Sequence, residues 1–292
     1  ASIGSLKRLG KMLGMIRREN GRLRVRDPLG CVRGVGGIYL DVIEPPIRSI
    51  ADLREFPLPP LTDTTDIRVL RRTWPDCCIM VEVSGVQQVL SDVLWDMVPF
   101  MLALYDYPEE VKRFQGRLAD WTIEQARSAV AAGADVVFIG DDYGATGRPR
   151  ISPEMWQEFT LPHLRRIIAA VHELGAVAML HSCGYQMTFL RHYVEAGLDI
   201  LQSLQPKAGN DLAAVVDDVG DRLCIATGID TQRGETMSPA ELRDDIVSAY
   251  RIGCAKGRFI LGMTHMMQYT MPMENVLEIF GTVRDIRQGV CG

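Results

Sequence analysis

From residue 78 onward the chain alternates short apolar runs with longer stretches of helical periodicity. Cys-Ile-Met-Val-Glu-Val (78–83), Asp-Val-Val-Phe-Ile-Gly (135–140) and the run at 176–181 read as strands, as do residues 198–204, 222–228 and 258–262. The intervening helices carry start signals. Ser238-Pro239-Ala240-Glu241 is a capping box with proline at the first helical position, and Ser152-Pro153 and Tyr107-Pro108 open two others. Leu242, Ile246, Ala249 and Gly253 then fall on one stripe of the helix after Ser238. Gly133, Gly175, Gly197, Gly220 and Gly257 each precede a strand, as expected of glycines that end helices. Six βα units in succession predict an α/β fold with a parallel sheet. No Gly-x-Gly-x-x-Gly follows any of the strands, which argues against a dinucleotide-binding open sheet and for a (β/α)8 TIM-type barrel, although six strands are two too few.

Residues 1–75 follow a different pattern. A basic helix is predicted around Leu6–Arg18, a strand over Arg22–Arg26 and a hairpin in the Gly-rich stretch Val32–Leu40. Pro45, Pro46, Pro57, Pro59 and Pro60 mark an irregular connection. The expectation is an N-terminal helix and hairpin-like extension (1–75) packed on barrel units formed by 76–292, as one domain.

Composition narrows the function classes. Among 292 residues, 47% are hydrophobic and 24% charged, with net charge -5, which lacks the basic excess of a nucleic-acid binder. No apolar run approaches the ~18 residues of a membrane span, and the N-terminus lacks a signal-peptide core, so the cytoplasm is the default. Seven scattered cysteines without a Cys-x-x-Cys pair fit a reducing compartment. Cys77, Cys78 and Cys224 sit in or beside apolar runs and read as small buried hydrophobes.

In a barrel the C-terminal ends of the strands converge on one mouth. Those ends supply Glu82 and Ser84, Asp141-Asp142-Tyr143-Gly144, His181 and Cys183, Gln202 and Gln205, Asp230 and Gln232, and His265. His181 and Cys183 stand two residues apart at a strand end, so they share a face. Imidazole and thiolate are zinc ligands, and His265 at the last strand exit is a third candidate. The bland reading of the pair is a buried cysteine beside a hydrogen-bonded histidine. His163, His172 and His192 lie among Arg and Glu on helices, a solvated-face pattern. Met263, Met266, Met267, Met271 and Met273 follow the last strand; flexible thioethers there line a pocket or pack beneath a loop.

Gly-Asp-Asp-Tyr-Gly (140–144), Ser-Pro-Glu-Met-Trp (152–156), Leu-His-Ser-Cys-Gly (180–184), Gly-Ile-Asp-Thr-Gln (228–232), Phe-Ile-Leu-Gly-Met-Thr-His (259–265) and Pro272-Met273-Glu274-Asn275 together resemble the uroporphyrinogen decarboxylase superfamily over roughly residues 27–288. That superfamily includes the haem-pathway decarboxylase and zinc and corrinoid-linked methyltransferases. The resemblance implies a distorted (β/α)8 barrel whose first strand and preceding helices are missing from this chain. His-x-Cys-Gly resembles the methyltransferase branch, where that His and Cys bind zinc, whereas His265 looks more like the Gly-His-Gly histidine of the decarboxylase. Asp141-Asp142-Tyr143 stands in the place of the decarboxylase's Phe-Asp-Ser motif.

Three functions follow. The leading one is a zinc-dependent methyltransferase that exchanges a methyl group between a small methylated or thiol substrate and a corrinoid on a separate carrier protein. His181, Cys183 and His265 would bind the metal. Asp141, Asp142 and Glu82 would be catalytic; Tyr143, Gln202, Gln205, Asp230, Gln232 and Met266 would contact substrate. The second is a cofactor-free decarboxylase of a tetrapyrrole or aromatic carboxylate. The third is a non-catalytic barrel that holds a small ligand.

Overall fold

The structure, a computed structural model, describes residues 16–19, 22–35 and 40–290. The first element is an antiparallel sheet in which Ile16–Glu19 (β1), Arg22–Arg26 (β2), Val32–Val35 (β3) and Leu40–Glu44 (β4) pair in sequence. The expected strand over Arg22–Arg26 is present, and β3 with β4 makes the expected hairpin. The helix expected over Leu6–Arg18 is corrected at its end: residues 6–15 lie outside the described residues, and Ile16 pairs with Val25 as strand. Between β1 and β2 stands Asn20-Gly21, the dipeptide favoured between hairpin arms, and it outweighs the helical periodicity.

The larger sheet is parallel throughout. Met80–Ser84 (β5), Val136–Gly140 (β6), Val177–His181 (β9), Ile200–Gln202 (β10), Cys224–Ile229 (β11) and Phe259–Met263 (β12) lie side by side in chain order. A short antiparallel pair, Gly144–Ala145 (β7) and Arg148–Pro149 (β8), sits in the loop after β6. The helices between the strands start as the sequence signals indicate. Ser238 and Glu241 cap Pro239–Gly253 reciprocally, and Ser152 accepts from Met155 at the head of Pro153–Phe159. Gly133, Gly175, Gly197 and Gly257 are left-handed, whereas Gly220 keeps a helical φ.

Alternation along the strands divides the two faces. Val83, Val137, Ile139, Ala178, Leu180, Leu201 and Ile225 point outward into the main core, against Leu118, Leu164, Ile168 and Val215 of the helices. Val136, Met179 and Ala226 form a smaller inner cluster with Phe138 and Ile200. The sheet is curled. His181 at the end of β9 and His265 just past β12 are separated by three strand spacings, ~14 Å in a flat sheet, yet their ring centroids are 5.6 Å apart. The fold is therefore TIM-barrel-like, with six strands among the described residues and edges at β5 and β12. The inner-facing Met80 and Ile260 on those edges are 52% and 46% exposed.

The N-terminal segment packs onto this body. Cys31 and Ile47 join the main core, Cys31 Sγ lies 3.1 Å from the Val93 carbonyl, and the Ile47 N–H donates to Leu94 O at 2.9 Å. Among the described residues Cys31 is the buried thiol. Cys77 and Cys78 are exposed and Cys224 is half-buried, which corrects the reading of these three as buried hydrophobes. Residues 77 and 78 precede the edge strand, and the neighbouring helix Thr65–Thr73 buries no residue there. No described helix is long and apolar enough to cross a membrane.

Candidate metal centre

Parallel register places Gly140, His181 and Gln202 level with one another across β6, β9 and β10. All three face the inside of the curl. Gln202 Oε1 pairs with His181 Nδ1, and Gln202 Nε2 donates to Met263 O at 2.9 Å. Because the amide nitrogen is spent on that carbonyl, the amide oxygen faces the imidazole and Nδ1 must carry the proton. In the neutral imidazole, His181 Nε2 is then the acceptor nitrogen. It lies 3.3 Å from Cys183 Sγ. The backbone N–H of Cys183 donates to Asp142 Oδ1 at 2.7 Å, and Gln88 Nε2 holds the other Asp142 oxygen at 2.8 Å.

His265 completes the group: ligand atoms of His181, Cys183 and His265 all lie within 4.8 Å of one another. Tetrahedral zinc with bonds of ~2.0–2.3 Å would set its donors ~3.3–3.6 Å apart, so this donor set fits the ion with small side-chain adjustments. Asp142 Oδ1 is 3.7 Å from His181 Nε2, close enough to stand as a fourth donor or as a proton acceptor. Burial lowers the His265 pKa, with a further push from His181, which favours the neutral imidazole that metals bind. Burial, followed by the Asp142 charge, pushes the Cys183 thiol up to about 12, while the hydrogen bond with Ser203 acts in the opposite direction. The pocket therefore keeps a thiol protonated unless a cation arrives, and metal binding there releases a proton.

Beside the group opens a cavity of about 260 Å³, walled by Glu82, Ser84, Gln88, Gly140 and His181 on the barrel side. Leu29 and Arg33 of the N-terminal segment close the other side, with Arg33 bound to Asp27 at 2.7 Å. Glu82 is exposed, and its Oε1 would lie 3.1 Å from a Cβ added at Gly140, so the missing side chain keeps this space open.

Most of the remaining expected residues are engaged within the fold. Asp141 is buried, and its carboxylate accepts the backbone N–H groups of Val86, Gln87 and Gln88 at 3.0, 3.2 and 2.6 Å. It caps the helical turn that runs into the π-helical segment Val89–Leu94. Burial raises its pKa to about 6 against the opposing pull of those hydrogen bonds. A Cβ at Gly85 would fall 2.2 Å from its Cγ, so that glycine makes room for the carboxylate. The Tyr143 ring packs in an aromatic cluster with Trp156, Phe189 and Tyr193. Gln205 Oε1 holds the Gly184 N–H at 3.0 Å, and Asp230 Oδ1 caps its own turn through the N–H groups of Gln232 and Arg233. Gln232 and Met266 are exposed. Met271 is buried, with Met263 and Met267 against the same small core.

Three contributors escaped the sequence reading. Gln88 lies four residues beyond the end of β5, Ser203 follows Gln202 on what alternation makes the outward face, and Arg33 belongs to the extension. Only Gln88 left a trace, as a polar residue soon after a strand exit.

The family model described as Uroporphyrinogen decarboxylase (URO-D) matches residues 40–286. The Uroporphyrinogen decarboxylase of Pelobacter propionicus is 26% identical over 246 residues, covering 80% of this chain and 69% of that protein. That of Carboxydothermus hydrogenoformans is 24% identical over 173 residues, 55% of this chain and 47% of the relative. The chain thus spans from about half to about two thirds of these relatives' length. Among solved structures, a methyltransferase from Methanosarcina mazei superposes with a TM-score of 0.73 at 19% identity, over 89% of this chain and 77% of that one. A B12-independent methionine synthase from a Shewanella species gives 0.58 at 12% identity, over 96% and 79%. At such identities the likeness establishes the fold.

Proposed function

With residues 40–286 matched, the chain belongs to the uroporphyrinogen decarboxylase family, and we propose that within it the chain is a zinc-dependent methyltransferase. It would move a methyl group between a small methylated or thiol substrate and a corrinoid held by a separate carrier protein. The observation that carries this reading is the convergence of His181, Cys183 and His265 within 4.8 Å at the inner end of the sheet. A decarboxylase that works without a cofactor has no use for a half-buried thiol aimed at two imidazoles.

His181 Nε2, Cys183 Sγ and His265 would hold the metal. Bound there, zinc would favour the thiolate form of a substrate thiol or polarise a methoxy oxygen. Gln202 fixes the tautomer and direction of His181. Asp142, anchored by Gln88 and by the Cys183 N–H, is placed to take the proton released as substrate binds, or to return it as product leaves. Glu82 and Arg33 line the approach. The cobalt chemistry would belong to the partner.

One observation favours a second reading. The relatives matched in sequence are named decarboxylases, and His265 and Asp142 would there bind substrate and stabilise a protonated ring. Metal analysis of protein purified without chelator separates the two: about one zinc per chain is expected. The zinc-loaded chain should also accelerate methyl transfer to or from a methylated corrinoid, followed by the cobalamin absorption spectrum. Release of carbon dioxide from a porphyrinogen, with no zinc and no response to corrinoid, would overturn the proposal in favour of the decarboxylase.

A further inference from the structure

Ser203 is the one left-handed non-glycine residue among the described residues, with φ 83°, and it is fully buried. L side chains rarely adopt this conformation, and it persists only where the surroundings impose it. Its consequence is directional. Successive strand residues point to opposite faces, so with Gln202 turned inward onto His181, an extended Ser203 would point outward to the helices. The left-handed turn instead brings Ser203 Oγ within 3.7 Å of Cys183 Sγ. Two consecutive residues thereby reach two residues of the neighbouring strand end, Gln202 on His181 and Ser203 on Cys183.

A glycine would hold the same backbone without strain. If the fold needed only the turn, glycine would serve it better, so the serine is there for its hydroxyl. We propose that Ser203 is a positioning residue of the metal centre, whose hydroxyl donates to the Cys183 sulfur, fixing its direction and supporting its thiolate toward a bound metal. A thiolate on a metal has no proton to give, so the hydroxyl is the donor. The inference rests on reading His181, Cys183 and His265 as metal ligands.

Ser203→Gly and Ser203→Ala test it, each compared with the parent and with Cys183→Ala. Zinc affinity is measured by competition with a chromophoric chelator. Cobalt(II) substituted for zinc reports the metal–sulfur bond through its sulfur-to-cobalt charge-transfer band. The glycine variant should be at least as thermally stable as the parent, yet bind zinc roughly 10- to 100-fold more weakly with a displaced charge-transfer band. The alanine variant should show the same loss of affinity but lower stability than the glycine variant, because it keeps the strain. Unchanged affinity and band in the glycine variant, while Cys183→Ala loses the metal, would overturn the role of Ser203 and leave the metal reading intact. A parent chain that binds neither zinc nor cobalt would overturn both.

Discussion

The exits of β6 and β9 look equally rich in chemistry, yet they are put to opposite uses. After β6 come two acids and a tyrosine; Asp141 is consumed by three backbone N–H groups and Tyr143 by an aromatic cluster. At the end of β9 stand His181 and, two residues on, Cys183, whose hydrogen bonds to Gln202 and Asp142 leave Nε2 and Sγ facing each other. Asp142 belongs with the second set although it stands beside Asp141. A polar residue at a strand exit is available for chemistry only when the backbone around it has found its partners elsewhere.

The sharpest way to break this contrast is to remove one member of each set. We expect Cys183→Ala to abolish zinc binding while leaving the circular dichroism and melting temperature near those of the parent, since Sγ supports no backbone group. Retained zinc in that variant would sink the metal assignment. Asp141→Ala should do the reverse. Three N–H groups, two of them buried, lose their acceptor, which costs about 3 kcal/mol in denaturant unfolding, while the folded fraction should still bind zinc. A stable Asp141→Ala chain without zinc would place Asp141 with the site.

The contrast also marks how far the sequence could be read. Strand positions, the order of βα units and the convergence of His181, Cys183 and His265 followed from periodicity, because a period of two and a parallel sheet fix which side chains share a mouth. The fate of each exit residue did not. Nothing in Gly-Asp-Asp-Tyr-Gly distinguishes the acid that caps a turn from the one that holds Cys183, because the N–H groups in question belong to residues 86–88, on another loop. Nor does any pattern announce a left-handed serine at 203. The end of the helix expected over Leu6–Arg18 gave way to strand for a local reason, a hairpin dipeptide overriding helical spacing.

A smaller effect tests the second set from within. Gln202→Ala removes the acceptor that fixes His181 and should weaken zinc binding roughly 10- to 100-fold without abolishing it, measured by chelator competition. An effect as large as that of Cys183→Ala would make Gln202 a ligand. The first set has its own pH signature. Burial raises the Asp141 pKa from 3.8 to about 6, so between those values the folded chain binds more protons than the unfolded one. Its contribution to stability is therefore present at the acid end and is lost as pH rises toward 6. We expect Asp141→Asn to flatten that slope in unfolding curves taken across this window; an unchanged slope would assign it to other groups.

The smallest expected effect lies at the exit of β12, where the same division recurs among the methionines. Met271 is 7% exposed and packs with Ile229, Leu242 and Ile246, whereas Met266 is 56% exposed and supports no core. Removing the Met266 thioether leaves no cavity, so Met266→Ala should change unfolding free energy by no more than about 0.5 kcal/mol. If Met266 touches substrate, as the sequence suggests, KM should rise about two- to fourfold, the share of one or two partly covered methylene groups, with kcat unchanged because such a contact is equal in ground and transition states. A fall in stability with unchanged KM would move Met266 to the side of Met271, among residues that the fold consumes.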